Sequence, residues 1–367
     1  MYTYLLHKIY SFSKDSLPDS KFPEQEFAWM ADEGLLNVVL PGKSLDFEKQ
    51  SLNQLLQLFK NIGAANLSVG RIYEGHINAL HLIYAYGTQE QKANWYDAVK
   101  NENKLFGVWN TQFDNGIEIH QLPNSKYRLT GSKVFCSGAH SITRPLITGK
   151  LFAKNKTGWQ MCIVPVEKVA PIIEDRSFWK PMGMKQSCSY KMDFTGIELT
   201  ADDLLGEPGD YFKEPFFNGG AVRFAAVQLG GAMAVVEETH QFLKCNQRTD
   251  SEFQKARMAE MAMLLEAGNN WLNSAGGKMD NWLKQPETSK KNMAYSGMVR
   301  TAIESICSRI LYLSPICTGA RGLMENCRLE QLHRDLTFFL KQPGPDAVLI
   351  DTGNFLFENE TLHNVWE

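Results

Sequence analysis

The hydrophobic period of this chain changes twice. Leu52, Leu55, Leu56 and Phe59 recur at helical spacing, as do Ile77, Leu80, His81 and Tyr84, so the chain up to about Trp109 is expected to be helical. From 111 to 200 the period shortens. Tyr190, Met192 and Phe194 alternate with Lys191 and Asp193, and the apolar run from Met161 to Val166 is stopped by turn chemistry, which predicts strands. Helical spacing returns from about Pro215, with long stretches near 216–247, 252–284, 289–313 and 326–342, interrupted at Gly276-Gly277, Gln285-Pro286 and Gly319 to Gly322. The expected architecture is α+β and multidomain: an N-terminal helical domain (1–110), a central β-domain (111–214) and a C-terminal bundle (215–367) of four helices that bury their apolar faces together. A length of 367 residues agrees, because single cores stop growing near ~250–300 residues.

Composition narrows the function classes. Charged residues make up 22% of the chain with a net charge of −3, so no basic field exists to collect nucleic acid. The seven cysteines are odd in number, widely spread and never paired as CxxC, which predicts reduced thiols in a cytoplasmic protein. Residues 1–12 lack a basic start and a small-residue cleavage site, and the uninterrupted apolar runs look too short to cross a bilayer, so no membrane partner is expected. His76 and His81, five residues apart, fall on different sides of a helix and build no metal site. Neither GxSxG nor GxGxxG occurs.

Two linked signatures carry the chemistry. Tyr-Arg-Leu-Thr-Gly-Ser-Lys-Val-Phe-Cys-Ser-Gly at 127–138 and Trp-Lys-Pro-Met-Gly-Met-Lys-Gln-Ser at 179–187 are closed by Asp-Asp-Leu-Leu-Gly-Glu-Pro-Gly at 202–209. With Tyr86-Gly-Thr-Gln-Glu-Gln-Lys92 before them and Leu329-Glu-Gln-Leu-His-Arg-Asp335 after them, they resemble the acyl-CoA dehydrogenase family, from roughly Glu33 to Asp346. The resemblance implies FAD held by the β-domain. Asn110, Thr111, Phe135, Cys136 and Ser137 stand at the family's flavin-contact positions, with Phe for Trp and Ser for Thr. The family's Thr-Glu-Pro-x-x-Gly-Ser stretch becomes Thr111-Gln-Phe-Asp-Asn-Gly-Ile117, which retains Gly116. Arg248 matches an Arg that reaches a neighbouring subunit's FAD, and Gly319-Ala-Arg-Gly322 replaces the usual Gly-Gly-x-Gly.

The family's catalytic base is the deepest departure. Removing the α-proton of an acyl thioester needs a carboxylate, which the family supplies eight residues beyond the Asp of Arg-Asp. That slot is Pro343 here, followed by Gly344 and Pro345, and the alternative slot before Arg223 is Val222. Asp346, three residues past the empty slot, is the remaining candidate, with Glu358 and Glu360 in a tail expected to be solvated. The resemblance therefore implies an FAD-dependent oxidoreductase on a small-molecule or acyl-thioester substrate. Its alternatives are a flavin monooxygenase on the same fold, for which that base is unnecessary, or a scaffold that has lost the chemistry. A homodimer or homotetramer through the bundle is expected from Leu264, Leu265, Trp271 and Trp282.

Overall fold

The computed structural model describes residues 2–15, 21–49, 51–213, 216–325, 327–341 and 344–366. Five helices come first: α1 (Thr3–Asp15), α2 (Glu24–Asp32), α3 (Leu52–Ala65), α4 (Leu67–Tyr86) and α5 (Gln89–Glu102). The α4–α5 joint shows why the Gly-Thr-x-Glu-Gln-Lys motif has its composition. Gly87 ends α4, Thr88 caps α5 by accepting from Gln91 N–H, and the Gln91 side chain accepts from Thr88 N–H in return. The same Gln91 amide donates to the carbonyls of Asp202 and Leu204, which ties the helical domain to the β-domain.

Ten strands follow: β1 (Phe106–Trp109), β2 (Glu118–Gln121), β3 (Tyr127–Thr130), β4 (Ser132–Cys136), β5 (Arg144–Phe152), β6 (Thr157–Ile163), β7 (Ile173–Asp175), β8 (Tyr190–Asp193), β9 (Glu198–Leu199) and β10 (Leu204–Leu205). The sheet thus begins inside the zone whose period predicted helix, because β1 is only four residues long and buried on both faces. One sheet runs β10-β6-β5-β2-β3-β9, with β1 also paired to β5, and the second runs β4-β8-β7. The predicted alternation holds at β8 and just beyond it, where Tyr190, Met192 and Phe194 are all buried.

The bundle comprises α6 (Phe216–Cys245), α7 (Glu252–Trp282), α8 (Ser289–Thr318) and α9 (Arg328–Phe339), joined by α10 (Pro345–Phe357). The four expected bundle helices are α6 to α9, and α10 is added to them. Pro345 reads as turn chemistry, yet proline suits the first helical position, where its missing N–H costs nothing and Asp346 faces the helix dipole. Window 220–245 of α6 is long and apolar enough to cross a membrane, contrary to the sequence reading of its length, but 78% of its most apolar stretch is buried inside the protein, as in a core helix. Small residues let it approach closely: a Cβ on Gly230 would fall 2.0 Å from Lys60 O, and one on Gly63 2.3 Å from Val227 O. Trp282, expected at an interface, is 5% exposed and packs edge-on against Tyr295, so it fills the bundle core.

His76 illustrates how the core holds its polar groups. Its Nε2 lies 2.7 Å from Leu36 O and its Nδ1 accepts from Phe106 N–H at 3.0 Å, which fixes a neutral ring between the first domain and β1. Burial lowers its pKa from 6.5 to about 4. The folded state therefore resists protonation, and stability present above pH 6.5 is lost as pH falls toward 4, at about 1.4 kcal/mol per pH unit. Imidazole NMR shifts should show His76 still neutral at pH 5; a midpoint near 6.5 would contradict the assignment.

Candidate flavin site

The end of β1 and the end of β4 meet: Val134 N–H donates to Thr111 O at 3.0 Å, which places Thr111 beside Phe135. Phe135 has φ +54°, and the β4–β8 register shifts between Lys133 and Cys136. A bulky residue in the left-handed region is strained, and here the bulge turns its ring outward to 42% exposure between the buried Val134 and Cys136. Phe113, 59% exposed, meets Phe135 edge-on with centroids 6.5 Å apart, and Phe178 and Trp179 close on it at 5.1 and 6.2 Å. Four aromatic rings thus line an open recess. An exposed aromatic cluster of this kind marks a ligand surface, and aromatic faces suit a flat conjugated ring such as a flavin's.

Beneath that recess the polar groups are ordered. Ser137 Oγ, Ser189 Oγ and Ser187 Oγ form a chain with 2.8 Å steps, and Trp109 Nε1 donates to Ser137 O. Lys133 is fully buried and donates to Asn110 O (2.7 Å), Gln112 Oε1 (2.6 Å) and Thr148 Oγ1 (3.2 Å). No carboxylate accepts from this ammonium among the described residues, and burial lowers its pKa to about 7. Gln112 Oε1 also accepts from Ile117 N–H, and a Cβ on Gly116 would collide with the Gln112 side chain at 2.0 Å, which explains the retained glycine.

The recess is clamped to the bundle from the far side. Asp335 Oδ1 accepts from Met184 N–H at 2.5 Å, Arg334 Nη1 donates to Met182 O at 2.9 Å, and a Cβ on Gly183 would sit 2.2 Å from Arg334 O. Phe338 of α9 packs edge-on against Trp179. The Arg-Asp motif of the last family helix is therefore a joint between α9 and the loop carrying the aromatic wall.

The sequence-predicted residues separate into three groups. Asn110, Thr111, Gly116, Phe135 and Ser137 come together at this recess, whereas the Cys136 thiol points into the core, where burial pushes its pKa up. Arg248, exposed at the α6–α7 turn, sits with Gly319 and Gly322 at the end of the bundle where α7 begins and α8 stops; Gln254 Nε2 joins the two turns by donating to Cys317 O. Asp346 is exposed in the first turn of α10, Glu358 pairs with Lys290 at the other end of that helix, Glu360 is exposed, and Pro343 lies outside the described residues. Sequence reasoning missed Lys133, Phe113, Phe178 and Trp179, although all four lie in or beside the quoted motifs.

A wide recess opens elsewhere. About 1410 Å³ opens between the α4–α5 joint and the β2–β3 and β5–β6 hairpins, lined by groups of both signs such as Glu90, Lys154, Asp202 and Glu207. None of the aromatic-recess residues borders it. Among the described residues no cluster of His, Cys, Asp and Glu could hold a metal ion.

Comparison with known proteins agrees with this geometry. Residues 12–102 match the model of the acyl-CoA dehydrogenase N-terminal domain. A mitochondrial isobutyryl-CoA dehydrogenase of Dictyostelium discoideum is 22% identical over 305 residues, 80% of this chain and 72% of that protein. A dibenzothiophene monooxygenase of Rhodococcus erythropolis is 23% identical over 161 residues, 42% of this chain and 39% of that protein. FMN-bound TdsC from Paenibacillus sp. A11-2 superimposes with a TM-score of 0.89 at 19% identity, over 100% of this chain and 98% of that one. Methanesulfinate monooxygenase MsuC from Pseudomonas fluorescens gives 0.85 at 18% identity, over 99% and 98%. Matched segment, relatives and architecture agree: residues 12–102 match the acyl-CoA dehydrogenase N-terminal domain, and the chain as a whole has the acyl-CoA dehydrogenase-like fold.

Proposed function

We propose that the protein is a flavin-dependent monooxygenase that uses FMN in the aromatic recess. The observation that carries this reading is the state of the carboxylates flanking the recess. Asp335 is occupied by Met184 N–H, and Glu174 by Arg176 and, at 3.7 Å, His140. Dehydrogenation of a thioester needs a free carboxylate as base, whereas oxygenation does not. Supplied in reduced form, the flavin would give two electrons to dioxygen, one oxygen atom passing to the substrate and the other leaving as water. Phe113, Phe135 and Trp179 would hold and shield the ring, Thr111 would stand at its polar edge, and Lys133 would set the charge below the cradle. FMN rather than FAD is supported by the FMN-bound TdsC structure, whose fold this chain shares. The reading extends to a self-associating protein of a reducing compartment, since all seven cysteines are free.

Acyl-thioester dehydrogenation with FAD is the second reading, favoured by the isobutyryl-CoA dehydrogenase relative that spans 80% of this chain. Asp346 would then be the base. Reduced FMN, ¹⁸O₂ and either indole, dibenzothiophene or methanesulfinate are expected to yield a product carrying one ¹⁸O atom, with FMN bound more tightly than FAD. Rapid anaerobic bleaching of bound FAD by isobutyryl-CoA, lost in Asp346→Asn, would overturn oxygenation in favour of the second reading.

A further inference from the structure

Behind the aromatic recess α4 crosses α6, with Gly70 against Val227. One turn further along, charges meet in the interior. Arg223, 4% exposed, donates from Nε to Glu74 Oε1 at 3.0 Å and from Nη2 to Asn78 Oδ1 at 2.7 Å. Glu74 is 1% exposed, yet its Oε2 accepts no hydrogen bond; its closest cation is Arg71 Nη1 at 3.8 Å, whose guanidinium lies 4.8 Å from the Phe224 ring centroid. Two guanidiniums face one carboxylate. A buried ion pair gives little net stability even when balanced, and a surplus cation beside an unsatisfied carboxylate oxygen costs more, so a helix strut alone does not account for the arrangement.

Position supplies a reason. Gly75 packs on Val108 N, two residues before Asn110, and Ile72 reaches to where a Cβ of Gly138 would stand, one residue beyond Ser137. The helix that carries Arg71 and Glu74 therefore packs against the strand end and the loop that flank the recess. Arg223 also borders a cavity of about 70 Å³ with Phe47, Ile77 and Met279 on its apolar side and Lys49, His81 and Asp280 on its polar side, Asp280 being held by Leu52 N–H. That volume holds about two water molecules, at roughly 30 Å³ each, or one compact oxyanion.

We propose that Arg223, with Arg71, is the anchor for a small carboxylate or similar oxyanion borne by the substrate. Glu74 is the internal counter-ion that the ligand displaces, and the apolar cavity wall receives the group next to the anion. Only the anchor's role as a substrate subsite rests on the flavin-enzyme reading. Its binding chemistry does not, and the test therefore uses the flavin-free full chain.

Acetate is the probe and acetamide its neutral control, measured by calorimetry in wild type, Glu74→Gln and Arg223→Gln. Glu74→Gln is expected to tighten acetate about tenfold or more, since a charge-assisted hydrogen bond no longer competes for the guanidinium. Arg223→Gln should abolish binding. A gain of affinity in Glu74→Gln cannot arise from misfolding, so the proposal stays falsifiable if Arg223→Gln fails to fold. Acetate binding that Glu74→Gln leaves unchanged, acetamide bound as well as acetate, or no acetate binding in either wild type or Glu74→Gln would each overturn the proposal. If acetate binds as expected while no ¹⁸O product forms, the anchor stands and the monooxygenase reading falls.

Discussion

Replacing Asp335 by alanine is expected to lower stability by about 3–5 kcal/mol, the usual cost of breaking a buried charged contact by removing one partner. Asp335 is 8% exposed, and burial raises its pKa despite Met184 N–H and the Arg328 guanidinium, which both favour the carboxylate. Alanine would leave Met184 N–H without its acceptor and remove from Arg328, also 8% exposed, the stronger of the two carboxylates, Asp335 and Glu238, that favour its charge. Arg328 in turn donates to Ser13 O, Ala65 O and Gln331, so the disturbance reaches α1 and α3. Asparagine can still accept from Met184 N–H and is neutral, so Asp335→Asn should cost only about 1 kcal/mol. Because the same joint holds the Trp179 wall against Phe338, FMN affinity should fall in Asp335→Ala before global unfolding. Urea unfolding of the two variants checks the ranking; an alanine variant within 1 kcal/mol of wild type would remove the clamp from the account.

Much of this fold was legible because the hydrophobic period changes where the domains change, and because caps announce themselves. Thr88 and Gln91 form the capping box that their spacing implies. What escaped has physical causes. Strand β1 is too short to show a period, and α10 follows Gly344 and Pro345, letters that mark a turn unless the proline happens to occupy the first helical position. Lys133, between Ser132 and Val134, reads as a solvent-facing strand lysine yet is fully buried, and the register shift between Lys133 and Cys136 accompanies the outward turn of Phe135. The fourth wall of the recess, Trp179, is brought to Phe135 by packing across 44 positions of sequence, and Glu74 reaches Arg223 across 149, separations over which local pattern carries no information.

Phe135 separates function from stability, and Phe135→Gly should show it. The left-handed backbone at φ +54° costs a non-glycine residue roughly 1–2 kcal/mol, which glycine does not incur. Against that gain stand the lost edge-on contacts with Phe113, Phe178 and Trp179, about 0.5–1.5 kcal/mol each at their best and less where the ring is 42% exposed. The two terms nearly offset, so the melting temperature should move by only a few degrees in either direction. FMN affinity, in contrast, should drop about 10–100-fold, because base–aromatic stacking of a flat ring is worth about 1–3 kcal/mol and the strained residue supplies that surface. Phe135→Ala retains the strain and loses the ring, so it should be the less stable variant with the same loss of affinity. Fluorescence quenching of FMN and thermal unfolding, measured on both variants, test the two terms independently. Unchanged FMN affinity in Phe135→Gly would place the flavin elsewhere, and a collapse of stability without strain relief would make Phe135 a packing residue whose exposure has no function.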